Sequence, residues 1–237
     1  QRTIVSKEIS GALALDIEDE VTIVALAGST VVQTVFVPSL TLGQRSYDGL
    51  IAPTFRSEHI GADGVLGLDS LQGQRILFDF LGRTISVEDI SEPLKSRSLR
   101  EIVVTARRRS GQLIFTNATI AGVRTSIIID TGGELSIGNK ALQRRLRLKS
   151  SAMTQMNLVD ITGRSVPADY GIAEELLIGR ARFGIIPIAF ADIAPFKALR
   201  LGKTPALFLG MDALRRFDRV AIDFANRKIY FLLPEDA

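Results

Sequence analysis

Asp130 follows three consecutive isoleucines, Ile127-Ile128-Ile129, and opens the run Asp130-Thr131-Gly132-Gly133, with Ser136 three residues further on. An apolar strand that ends in such a turn can hold a carboxylate at a loop tip against an apolar floor. A second carboxylate facing it there would share one proton with it, because two like charges in contact cannot both ionise. A pair in that state polarises a water. One carboxylate takes a proton from the attacking water while the other, protonated, stabilises the developing oxyanion, so neither a metal nor a covalent intermediate is required. Gly132 permits close backbone approach. Taken alone, Asp-Thr-Gly is also an ordinary turn after a strand, so its weight rests on what surrounds it.

Other chemistries find little material. Cysteine is absent, which removes disulfides, thiolate nucleophiles and cysteine-ligated metals together. His59 is the only histidine, and nothing around Glu58-His59-Ile60 has ligand or triad spacing, so it reads as a surface or loop residue. No cofactor or metal is expected. Lys and Arg exceed Asp and Glu by only 29 to 26, a net +3 that gives no electrostatic footprint for nucleic acid. The basic runs Arg107-Arg108-Arg109 and Arg144-Arg145 read as solvated faces. No apolar run reaches the length of a bilayer span, and the first residues lack a charged-then-apolar leader pattern.

The elements that would position Asp130 are mostly strands. Short β-branched runs at 31–37, 76–80, 102–105, 112–115 and 125–129 are separated by Gly, Ser, Asn or Asp turns, which predicts a mostly β architecture. Helix is minor, expected at 6–13, 69–71, 139–146 and 212–216. The chain also echoes itself. Leu66-Gly67-Leu68-Asp69-Ser70-Leu71 returns as Leu209-Gly210-Met211-Asp212-Ala213-Leu214, 143 residues later. Ser6-Lys7-Glu8-Ile9 returns as Asn139-Lys140-Ala141-Leu142, 133 residues later. Two copies in one order imply two similar lobes: 1–88, a polar linker at 89–100 containing Pro93, and 101–237 carrying Asp130-Thr131-Gly132.

The ordered set in the second copy resembles the retropepsin-like aspartic proteases, in a two-lobed form related to the pepsins. That family has an apolar strand ending in Asp-Thr/Ser-Gly, a small residue, a Ser or Thr three further on, and later an apolar pair followed by Gly on a strand that threads past the active-site loop. Gly133, Ser136 and Phe208-Leu209-Gly210 stand in those places, and 117–124 matches the family's strand, tight turn and strand entry. The resemblance implies two lobes of the acid protease barrel fold and an aspartic endopeptidase in which Asp130 is one catalytic carboxylate. It implies that Thr131 hydrogen-bonds across the lobe interface. The first-lobe carboxylate is expected before this sequence begins: shifting Asp130 back by 133 lands four residues before Gln1, while Thr3-Ile4 falls on Ser136-Ile137. Asp16, Asp48, Asp63 and Asp69 lack a following Thr/Ser-Gly and read as structural.

Glycine-bearing hairpins that close on substrate are a second expected feature, with Gly28 and Ser29 in one candidate flap and Gly163 and Arg164 in the other. The substrate would be a protein or peptide in extended conformation, bound by strand-like hydrogen bonds. The internal repeat favours a monomer over a pair of chains joining their Asp130 loops. Bacterial relatives of this two-lobed type tend to be exported, which implies a periplasmic or otherwise exported setting, with a cytoplasmic one as the alternative. A non-catalytic module of the same fold, binding peptides or serving assembly, is the alternative.

Overall fold

The computed structural model describes residues 2–43, 45–67, 71, 73–89, 100–179 and 181–234. Two compact units emerge. One comprises 1–72 with 157–166 and 193–195; the other comprises 73–156, 167–192 and 196–237.

In the first unit, β1 (Ile4–Ser6), α1 (Lys7–Ala12), β2 (Ile17–Ala25), β3 (Gly28–Leu42), β4 (Arg45–Phe55), α2 (Ser57–Ile60) and β5 (Gly64–Val65) follow one another. The strands form one sheet in the order β2-β3-β4-β1-β5. Strand β1 runs parallel to β4 and antiparallel to β5. Val35 and Val37, two residues apart on β3, share one face and are both buried, as a two-residue side-chain period requires. Its core is small, built from Val35, Val37 and Ala52 with Val5, Leu15, Leu40 and Leu50 packed against them.

The second unit begins with β6 (Gln74–Asp79), β7 (Thr84–Asp89), β8 (Glu101–Thr105), β9 (Arg107–Arg109), β10 (Gln112–Phe115), β11 (Ala118–Ile120), β12 (Val123–Arg124) and β13 (Ser126–Ile129). After the Asp130 loop come β14 (Ile137–Gly138), α3 (Lys140–Leu146), β15 (Thr154–Val159), β16 (Ser165–Ala173), β17 (Leu176–Ile178), β18 (Ala181–Phe183) and β19 (Ile186–Phe190). Finally α4 (Ala194–Ala198), β20 (Ala206–Leu209), α5 (Met211–Leu214), β21 (Arg219–Asp223) and β22 (Lys228–Leu232) complete the chain. The tip of the β15–β16 hairpin belongs to the first unit, its base to the second.

The largest sheet runs β15-β16-β19-β14-β20-β13-β10-β9. Its first five strands repeat the order of the first unit's sheet, and β14 is likewise parallel to one neighbour, β19, and antiparallel to the other, β20. Both short middle strands lead into a helix with a side-chain cap. Ser6 Oγ accepts from the Ile9 N–H at 3.1 Å, and Asn139 Oδ1 accepts from the Leu142 N–H at 2.8 Å. Strands β13 and β20 lie inside this sheet, and Ile127, Ile128, Leu207 and Leu209 are fully buried, as expected of apolar runs covered on both faces. Arginines 107–109 form the exposed edge strand β9, where charge discourages pairing with another chain.

The compact division falls at Gln72, earlier than the lobe boundary expected at 88, and the reason is pairing. Strand β6 pairs with β21, Ile76 against Ile222, in a sheet ordered β7-β6-β21-β22-β8, so 74–89 packs with the second unit. Residues 90–99 of the expected linker and 69–70 of the expected short helix lie outside the described residues.

Asn139 does more than cap α3. Its side-chain amide donates to the Leu201 and Thr204 carbonyls at 2.8 and 2.7 Å, and its oxygen also accepts from the Ala206 N–H at 3.3 Å. Asn139→Ala removes the cap and leaves these groups without partners, an expected loss of about 2–4 kcal/mol in urea unfolding.

Candidate active site

Asp130 stands where β13 ends. Its N–H donates to the Leu209 carbonyl at 3.0 Å, prolonging the parallel β13–β20 ladder to the first residue of the loop. The ladder therefore fixes the backbone of Asp130 while the side chain projects beyond the last buried isoleucine. Asp130 Oδ1 accepts from the Gly132 N–H at 3.3 Å. Burial pushes the Asp130 carboxyl above its ordinary range, opposed by the N–H groups of Gly132 and Gly133. A carboxylate that holds its proton unusually well is the kind that can share one with a neighbour.

The loop is fastened from below by the exit of β20. Ser136, fully buried, accepts from the Gly210 N–H at 3.1 Å through Oγ and donates to Asp212 Oδ1 at 2.7 Å. The N–H groups of Met211 and Asp212 donate to the Gly133 and Glu134 carbonyls at 2.8 and 2.9 Å. Only glycine fits at 210: a Cβ there would lie 2.6 Å from the Leu135 carbonyl carbon and oxygen. In the first unit, Thr3 Oγ1 accepts from the Gly67 N–H at 3.0 Å, and a Cβ on Gly67 would overlap the backbone of Arg2 and Thr3. The same hydroxyl-to-threading-glycine contact thus occurs twice, at positions offset by 133 and 143 in the sequence.

Thr131 and Gly132 are exposed and Gly133 is half-buried. A Cβ on Gly133 would lie 2.8 Å from Asp130 Oδ2, so this small residue leaves room for the carboxylate. Gly133→Ala is expected to turn the carboxylate aside and lower kcat/KM by about 100-fold, the cost of displacing a reacting group by roughly an ångström, with little change in Tm.

Residues 116–213 match the aspartyl protease family. That segment runs from the approach to β11 into α5 and contains Asp130, Ser136, Gly210 and Asp212. The resemblance to aspartyl proteases therefore covers the whole fastened loop. A solved structure of a retropepsin-like aspartic protease from Rickettsia conorii is similar at 22% identity, covering 55% of this chain and 89% of its own, with a TM-score of 0.41. No curated protein matches the chain.

The flap candidates from the two sequence copies meet. Arg164 donates from Nη2 to the Gly28 carbonyl at 3.4 Å, and Gly163 sits against His59, with a φ of 79° that suits glycine. Ser29 is exposed and paired opposite Val24 in the β2–β3 hairpin. Sequence reasoning passed over Asp160, whose carboxylate organises this contact. The signal was present in the order Asp160-Ile161-Thr162-Gly163, an Asx turn in which the aspartate accepts from the N–H two residues on. Among the described residues, no group of three His, Asp or Glu side chains could hold a metal ion, and no helix is long and apolar enough to cross a membrane.

Proposed function

We propose that this chain is a two-lobed aspartic endopeptidase that hydrolyses peptide bonds with a water activated between Asp130 and a second carboxylate six positions before Thr3 in the parent protein. The observation that carries the second carboxylate is the recurrence of the Ser136–Gly210 contact as Thr3–Gly67. Ser136 lies six residues after Asp130, so a repeat faithful at the threading glycine calls for its carboxylate six residues before Thr3. The aspartyl protease match over 116–213 supports the reaction class.

In the proposed reaction, the ionised member of the pair takes a proton from water as the oxygen attacks the peptide carbonyl carbon. The protonated member hydrogen-bonds the carbonyl oxygen as it gains negative charge. The tetrahedral intermediate then collapses with cleavage of the C–N bond, and a carboxyl group delivers a proton to the leaving nitrogen. The substrate is an extended peptide.

The test is the pH profile of kcat/KM for an unfolded protein substrate. Catalysis needs one proton on the pair, so activity should fall on the acid side as both members protonate and on the alkaline side as both ionise. Asp130 holds its proton above the ordinary carboxylate range, which favours a mildly acidic optimum. Activity that rises steadily into alkaline pH would exclude this mechanism.

A further inference from the structure

Asp160 makes an unusual set of contacts for a hairpin-turn residue. It is 5% exposed. Oδ1 accepts from the Thr162 N–H at 2.9 Å, the Thr162 hydroxyl at 2.5 Å and the Arg164 N–H at 3.2 Å, all on its own turn. Oδ2 reaches a different hairpin and accepts from the Ala27 N–H at 3.1 Å. Two further bonds hold the same three-residue stretch of the β2–β3 turn: the Ala194 N–H donates to the Leu26 carbonyl at 3.0 Å, and Arg164 donates to the Gly28 carbonyl. Leu26, Ala27 and Gly28 are thereby gripped in succession, with the aspartate at the centre.

A hairpin tip at a glycine turn normally moves freely on the nanosecond to microsecond scale, which is what a flap needs in order to open. Here the grip replaces that freedom with a joint. We propose that Asp160 is a positioning residue that latches the tip of the β2–β3 hairpin to the tip of the β15–β16 hairpin, so that the two glycine turns close on a bound peptide as one cover. This rests on the endopeptidase reading for its purpose, though the latch itself is a matter of geometry.

The latch is also matched to acid conditions. Burial alone would raise the Asp160 carboxyl, but hydrogen bonds from Thr162, Ala27 and Arg164 outweigh it and hold the group below its ordinary 3.8. A carboxyl depressed in the folded state contributes stability that is present above its unfolded value and lost only as pH falls through the folded value. Asp130 is shifted the other way. Between the two, Asp130 can carry a shared proton while Asp160 stays anionic and the latch stays shut. The charged and titratable neighbours are Arg164 on the same turn and His59 with Glu58 on α2, where His59 packs against Gly163; Ala27 and Gly28 bring none.

The test compares the parent protein with Asp160→Asn and Arg164→Gln. Asparagine has a single acceptor oxygen, so if it keeps the bonds of its own turn, it presents an amide N–H to the Ala27 N–H. Hydrogen exchange at the Ala27 amide, read by NMR and corrected for intrinsic rate, should quicken at least tenfold in Asp160→Asn. In the parent, protection should hold from neutral pH down to the ordinary carboxyl value of 3.8 and be lost only as pH falls further, through the depressed value of the folded state. On a peptide substrate, Asp160→Asn should raise KM several-fold with a smaller change in kcat, and Arg164→Gln should shift both readouts in the same direction by less. Unchanged exchange at Ala27 in a folded Asp160→Asn variant overturns the latch. Faster exchange with KM and kcat both unchanged overturns its role as a cover. Should the parent prove inactive on peptides, the endopeptidase reading fails, and exchange at Ala27 still decides the latch.

Discussion

Asp130→Asn is expected to lower kcat/KM for an unfolded protein substrate by about 10³-fold or more at mildly acidic pH, because asparagine can neither accept the proton of the attacking water nor return one to the leaving nitrogen. The two side chains are nearly isosteric, so the fold should survive. Its stability should even improve at neutral pH. Burial raises the Asp130 carboxyl, which means that keeping it ionised in the folded state costs free energy once pH exceeds its ordinary value of 3.8. That cost grows as pH rises from the unfolded toward the folded value. It is absent in the asparagine variant, so Tm for Asp130→Asn should equal or exceed that of the parent at neutral pH. The difference should shrink as pH falls from the raised folded value toward 3.8 and be absent below it. Loss of activity together with retained or raised Tm separates a catalytic group from a structural one.

Gly210→Ala carries the largest expected effect on stability, about 3 kcal/mol or more, because the added methyl meets backbone rather than a side chain that could swing away. The Cβ would sit 2.6 Å from the Leu135 carbonyl and 2.9 Å from the Ser136 nitrogen. Relief requires β20 and the Asp130 loop to part, which breaks the Gly210–Ser136 bond and draws Met211 and Asp212 away from the Gly133 and Glu134 carbonyls. Gly184→Ala is the control. No atom lies within 4 Å of the position its Cβ would take, and urea unfolding should change by no more than about 0.5 kcal/mol. If Gly210→Ala unfolds at the urea concentration of the parent, the loop is not fastened as described.

Much of this arrangement was legible because it is local. Asn139 and Ser6 announce helix starts by type, and the structure caps α3 and α1 with them. The isoleucine run before Asp130 became the buried strand β13, and Phe208-Leu209-Gly210 became the strand and glycine that thread past the loop. Gly67 and Gly210, which stand at matching places in the echoed segments, each donate an N–H to a hydroxyl, Thr3 and Ser136 respectively. What escaped depends on pairing between distant segments. That β6 would join β21 is a matter of which edge lies nearest, and short strands with similar alternation do not reveal their partners. Helix α4 was missed because Ala194–Ala198 is one short turn with Pro195 inside it, a residue that reads as a breaker unless it falls at a first turn. Asp160 escaped for a related reason: its own turn was visible in the sequence, but the Ala27 N–H that it also holds is 133 residues away.

The most direct measurement is kcat/KM for three variants of the parent protein: Asp130→Asn, replacement of the residue six positions before Thr3, and the two combined. Expected is a carboxylate at that upstream position, with each single change falling to the same floor and the double change no lower, since two groups that share one proton act as a unit. Cleavage that persists undiminished when the upstream residue is replaced would contradict the paired-carboxylate mechanism.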